Sequence, residues 1–365
     1  MKFLEIIGGW INRHFSNEEA IFLIVLITVI FVILLTLGGV LAPVLTGLVF
    51  AFLLQGLVRR LRGARVPELA SVIIAFLLFL GGLVALAVFL VPLVFRQLRA
   101  LAEAAPDLIG RLREAADDLM VAFPDLVTER QVQSWVDLAG AEIGNLSGSA
   151  IEFALGQVPS LVGLLIYLVL VPISVFFFLK DRDALMGWFG SLLPRERPLL
   201  ARVGAEMNLQ LGNYVRGKFI EILIVGSVTF VTFTVLGLNY AALLGVLVGV
   251  SVLIPFIGAA VVTIPVALVA ILQFGWSWDL AMVMAAYAII QALDGNVLVP
   301  LLFSEAVDLH PITIIVAVLA FGGLWGVWGV FFAIPLATLI KAIYTAWPRQ
   351  VDSDGPPGAT PDTPL

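Results

Sequence analysis

The chain has 365 residues, of which 61 % are hydrophobic and only 13 % are charged, with a formal net charge of −6. A soluble domain carries about a quarter charged residues, so this composition excludes a soluble globular protein, and the modest negative charge gives no footing for nucleic acid. The absence of cysteine excludes disulfides, thiolate catalysis and cysteine-bound metal.

Apolar runs at 20–42, 43–58, 69–95, 159–179, 219–237, 239–275, 279–303 and 311–345 read as membrane-crossing segments, a helix needing about 20 residues to span. Their continuity argues for helices, because a barrel strand alternates in segments of about ten residues. The expected fold is therefore an all-α polytopic membrane protein with seven to eight transmembrane helices, two of its apolar units being broken or re-entrant hairpins. The first run begins at Ala20 with no small-residue cleavage site after it, so it reads as an anchor and not as a signal peptide.

Spans one to three occupy 1–95. Lys2 and Arg13 precede the first span, Arg59, Arg60, Arg62 and Arg65 follow the second, and Lys180 to Lys218 brings seven further basic residues after the fourth. Short cationic loops stay in the cytoplasm, so these regions, and both termini, are expected there. The segment 96–157 holds five arginines against ten acids and is expected outside, as three or four short amphipathic helices. A small cap and a ligand-binding element are both open for it. Residues 158–218 read as span four followed by a pair of interfacial helices, with Trp188 and Phe189 at headgroup level. The last core unit, 219–347, precedes a proline-rich tail at 348–365 expected to be disordered.

Two stretches inside that core break helical continuity. "IPFIGAAVVTIP" carries Pro255, Gly258 and Pro265, and "FGGLWGVWGV" carries Gly322, Gly323, Gly326 and Gly329, with Pro335 following. Irregular backbone survives in the membrane only when buried in protein or lining a water-filled cavity, and paired interruptions point to a transporter's binding site. The other reading is close helix packing through small residues.

Between the breaks lies "QALDGNVLVP", with Asp294, Gly295, Asn296 and Pro300. A carboxylate at membrane depth costs several kcal/mol unless it meets a partner, a cavity or water. Asp294 reads either as a proton, cation or solute coupling group or as a cap for the amides freed nearby, with Pro300 keeping the backbone irregular. Arg216, Lys218 and Glu221 form a candidate gating ion pair, the alternative being a snorkelling interfacial pair. His310, before Pro311, is either a titrating path residue or a helix cap. No zinc-protease, nucleophile-elbow or phosphate-loop motif occurs, so no enzyme, cofactor or metal is expected, and any active transport would draw on an ion gradient or a partner subunit.

Several of these stretches together resemble the autoinducer-2 exporter family, the AI-2E or permease-like group. They are "PISVFFFLKDRDAL" with Pro172, Phe178, Lys180 and Asp181, "YVRGK" with Tyr214, Arg216 and Gly217, the Pro255–Gly258–Pro265 pattern, "LDGNVLVP", "LHP" at 309–311 and the glycine cluster with Pro335. The similarity covers about residues 15 to 345, and the family often has glutamate and asparagine where this chain has Asp294 and Gly295. The resemblance implies an inner-membrane transporter without a nucleotide-binding domain, homo-oligomeric and in one form pentameric. Its members are linked to export of the small polar signal autoinducer-2 or to Na+/H+ antiport. A scaffold or sensor whose external helices hold a partner is the remaining alternative.

Overall fold

The computed structural model describes residues 18–101, 161–194, 197–255, 257–303 and 309–346, with isolated positions between 103 and 134. The rest of the segment 96–157 and the proline-rich tail lie outside the described residues. Everything described is helix and short connection. In chain order the elements are α1 (Glu18–Gly63), α2 (Glu68–Ala85, running on through a π turn at Leu86–Leu90), α3 (Leu161–Lys180), α4 (Arg182–Leu192) and α5 (Pro198–Val235). They continue as α6 (Ala241–Ser251), α7 (Ile257–Phe274), α8 (Trp278–Leu293, then a π turn Asp294–Leu298 and one further helical turn Val299–Phe303), α9 (Pro311–Phe331) and α10 (Ala333–Ala346). Six of these helices are long and apolar enough to cross a membrane, and three shorter apolar ones accompany them.

The first two apolar runs form one helix instead of two. Yet α1 is not a straight rod. Glu19 Oε1 accepts from the amide of Leu200 at 2.8 Å, while Gly56 lies against the guanidinium of Arg216. At 1.5 Å per residue the two positions on α5 are about 24 Å apart, whereas residues 19 and 56 would be about 55 Å apart on a straight helix. One helix meets both contacts only by bending sharply, and the Gly38–Gly39 pair and Pro43, the usual causes of such bends, sit midway. The helix thus has two arms, as the runs suggested, without a loop between them.

The expected interfacial pair after span four is also different. Its first member is α4, but residues 198–218 are the opening turns of a 38-residue α5. Pro198, in the first helical turn, starts it without losing a needed donor. Gly237 ends it with φ +69°, the amide of Leu238 returning to Phe233 O at 2.9 Å. The chain then reverses into α6, whose Gly245 and Gly249 bring its backbone against Gly226 of α5 so closely that a β-carbon there would meet main-chain atoms at about 3 Å. Small residues at such a crossing replace the hydrophobic drive that lipid does not supply.

The two broken units are both hairpin-like. With 11 residues, α6 rises only about 16 Å before Val252–Pro255 turns the chain into α7. A β-carbon on Gly258 would collide with Ser251 O, so this turn needs glycine at that place. Pro265 does not break anything: it lies inside α7, contrary to the expectation that the whole stretch would be irregular. The second unit reverses at Gly326, whose φ of 59° and ψ of −137° leave the helical region. The chain beyond it folds back, Gly329 against Phe321 and Gly322 against Val330. Hydrophobic clusters bind each unit to α5, one around Phe233, Val248 and Val266, the other around Tyr214, Ile314 and Ile334.

Candidate functional site

On α5, Tyr214, Lys218 and Glu221 share a helical face at spacings of four and three. All three are buried: Lys218 is 5 % exposed and Glu221 2 %, too deep for a snorkelling pair. Lys218 Nζ lies 2.8 Å from Glu221 Oε2, meeting it as a charge and not as an aligned hydrogen bond. Its hydrogen bond goes instead to Val252 O, 2.7 Å away, at the point where α6 breaks. The ammonium also stands 5.2 Å from the ring centre of Phe303. A helix terminus inside the protein needs partners for its free carbonyls, and the lysine is one of them.

Asp294 comes from the opposite wall. The stretch around it is not a loop but a helix widened by one residue: the amide of Val299 reaches back five residues to Asp294 O. Pro300 has no amide to give, and the π turn just before it shifts the hydrogen-bond register so that the helix resumes. The expectation that Pro300 keeps the backbone irregular is therefore replaced by a helical insertion. Asn296 is exposed and donates to Ala292 O at 2.8 Å. Asp294 is half-buried and faces Lys218 and Glu221 closely enough to interact with both charges.

These groups line one cavity of about 250 Å³, closed by Pro255 and Ala259 from the first hairpin, Gln291 and Val299 from α8, and Ile314 and Ile334 from the arms of the second. Tyr214 Oη, Gln291 Nε2 and Asp294 Oδ1 are buried there with no hydrogen-bond partner among the described residues. Buried polar atoms are almost always bonded, so these three, beside the ion-paired Glu221 Oε2 that also lacks a hydrogen bond, form an unfilled set of donors and acceptors on one cavity.

The structure divides the remaining candidates. Lys218, Glu221, Asp294 and Pro255 meet in the cavity, and Gly258 shapes the turn behind it. Arg216, about 200° around α5 from Lys218, bonds Asn213 Oδ1 at 2.8 Å and faces a different cavity. His310 is an exposed cap of α9 whose Nδ1 accepts from Ile312 at 3.3 Å. Pro265, Asn296 and Pro300 are not on the cavity wall. Gly322, Gly323, Gly326 and Gly329 belong to the second hairpin's tip. Aromatic rings connect that tip to the site: Trp328, Phe332 and Phe331 lie in mutual contact, and Phe331 is 6.0 Å from Tyr214. Gln291 and the Val252 carbonyl were not visible as site groups in the sequence. Tyr214 was, only as part of a motif.

A multi-pass helical bundle in which two interrupted hairpins close on a buried polar cavity defines a membrane transport protein. The particular family follows from comparison: the sequence matches the AI-2E family transporters over residues 20–349, and the chain belongs to that family. It is 44 % identical over 345 residues to PerM of Escherichia coli (strain K12), named as a permease, covering 94 % of this chain and 98 % of that one. YrrI of Bacillus subtilis (strain 168), named as a transport protein, is 26 % identical over 317 residues, 85 % of this chain and 87 % of its own length.

Proposed function

We propose that the chain is a secondary or facilitated transporter that moves a small polar solute, of the autoinducer-2-like class, outward across the inner membrane, and that the Asp294 cavity is where the solute is held in transit. The observation that carries this reading is the set of unpartnered polar atoms of Tyr214, Gln291 and Asp294 on one cavity between two broken helices. A hydroxylated solute of a few carbon atoms supplies donors and acceptors for all three, and the carbonyls and amides at helix breaks are suited to the same task. No enzymatic step is assigned. Cytoplasmic termini belong to the proposal, in keeping with Arg59, Arg60, Arg62, Lys180 and Arg182 lying at helix ends. So does a homo-oligomeric, pentameric assembly, which scattering mass in detergent tests.

The test is efflux from proteoliposomes, with and without a proton gradient. Asp294→Asn keeps the size of the side chain and removes its charge, so flux should fall while the folded yield stays unchanged. Unchanged flux removes Asp294 from the path. Cation/proton antiport is the second reading, favoured by two carboxylates and one ammonium acting on each other in the cavity. A pH-dye response to sodium, without any organic solute, would select it. No flux of either kind, with a stable co-purifying partner, would select the scaffold reading.

A further inference from the structure

A second cavity, of about 320 Å³, lies on the far side of α5 between α1, α3 and α4. Its walls have an uneven chemistry. Arg59 of α1, Arg182 of α4 and Arg216 of α5 all line it, joined by Gln55 and Asn208, and among the described residues no acidic one does. The rest of the wall is apolar, with Leu48, Phe52 and Phe178 among its residues. Arg216 reaches α1 beside Gly56, where even a β-carbon would stand at an ordinary contact distance of 3.8 Å from its guanidinium.

Little within the described residues neutralises these guanidiniums. Arg216 bonds only an amide oxygen. Arg182 has Asp183 at 3.3 Å, an exposed neighbour, and exposed pairs of this kind contribute little. Arg59 makes no ion pair. The cavity's place is as uneven as its chemistry. It lies at the basic ends of α1 and α3, beside α4, whose Met186, Trp188, Phe189 and Leu192 are all more than half exposed. An amphipathic helix with exposed aromatics lies at the headgroup layer of a bilayer.

We propose that this cavity binds the phosphate headgroup of an anionic phospholipid, with the guanidiniums around the phosphate diester and an acyl chain along the apolar wall of α1 and α3. A guanidinium fork matches phosphate oxygens in pairs, and basic pockets between membrane helices select anionic lipids in this way. The lipid would hold α1, α4 and α5 together without taking part in solute passage. The site stands whatever solute the Asp294 cavity carries.

The test uses the full-length protein in detergent. Phosphatidylglycerol should raise the thermal unfolding midpoint, and phosphatidylcholine at the same concentration should not. Arg59→Gln and Arg182→Gln should each weaken phosphatidylglycerol binding about fivefold, and together abolish the selective shift. Arg60→Gln, next in sequence but off the cavity, should leave it intact. Native mass spectrometry of the wild type from mixed micelles reads the same preference without any variant and covers the case in which the arginine variants do not fold. Equal retention of the two lipids, or a full shift in the double variant, overturns the proposal. An equal shift from soluble glycerol 3-phosphate overturns the lipid assignment in favour of a soluble phosphate ester.

Discussion

Replacing Lys218 by methionine removes the only cation that the described residues place on the Asp294 cavity while roughly keeping the side chain's length. The structure sets the magnitude. Glu221 is 2 % exposed and loses its partner 2.8 Å away, and Val252 O loses its donor at 2.7 Å. Breaking a buried pair from one side costs about 3–5 kcal/mol, and an unbonded carbonyl adds about 1–3 kcal/mol. Lys218→Met alone should therefore lower stability by at least about 3 kcal/mol, more than a hundredfold in the folding equilibrium. Glu221→Leu alone should lower it less, because the ammonium keeps Val252 O and Asp294. The double variant should recover most of the loss, because an apolar pair of similar volume replaces a buried ion pair at small cost. Only the lost Val252 donor and the lost cation beside Asp294 should remain. Reversible unfolding in mixed micelles with a denaturing detergent measures all four proteins and closes a double-mutant cycle. A coupling below about 0.5 kcal/mol, with additive single losses, would refute the claim that the two charges support each other.

Further substitutions separate shape from transport. Gly258→Val places a branched side chain on Ser251 O; folded yield in detergent should fall sharply, measured by gel filtration, whereas Gly295→Ala, with open space around it, should be tolerated. Gly217→Ala should cost about 1–3 kcal/mol by overpacking against Phe303, and Phe303→Leu in the same chain should recover it in the same unfolding assay. His310→Ala should cost about 0.5–2 kcal/mol as a lost cap and leave the pH profile of flux unchanged in proteoliposomes.

The helices were legible wherever apolar runs ended in polar or glycine-rich punctuation, and so were both hairpins, since Pro255 and Gly326 sit at the reversals the sequence pointed to. Helical arithmetic also carried part of the site: Lys218 and Glu221 are one turn apart. What the sequence did not disclose depended on neighbours far along the chain. Whether Lys218 snorkels or sinks is decided by Val252 and Phe303, 34 and 85 residues away. Arg216 could have been separated from the pair by its angle on the helix, yet its destination is set by α1, where it lies beside Gly56. The π turn at Asp294 escaped the reading because a proline predicts a lost hydrogen bond and not how the backbone rearranges around it. The bend of α1 is a similar case, since Gly38, Gly39 and Pro43 permit it and contacts with α5 impose it.

That bend is also where the second hairpin docks. Trp325, one residue before the reversal at Gly326, places its indole Nε1 where a side chain on Gly38 would stand. The bend of the first helix and the tip of the second hairpin therefore share one volume, as two parts of a single clasp. Straightening α1 would lift away the support under Trp325, and any withdrawal of the hairpin would free α1 to straighten. Since rings run from Trp328 through Phe332 and Phe331 to Tyr214, the state of the clasp is within mechanical reach of the Asp294 cavity. A bulky residue at position 38 thus presses on Trp325, at the far end of these rings, without touching any polar group of the site.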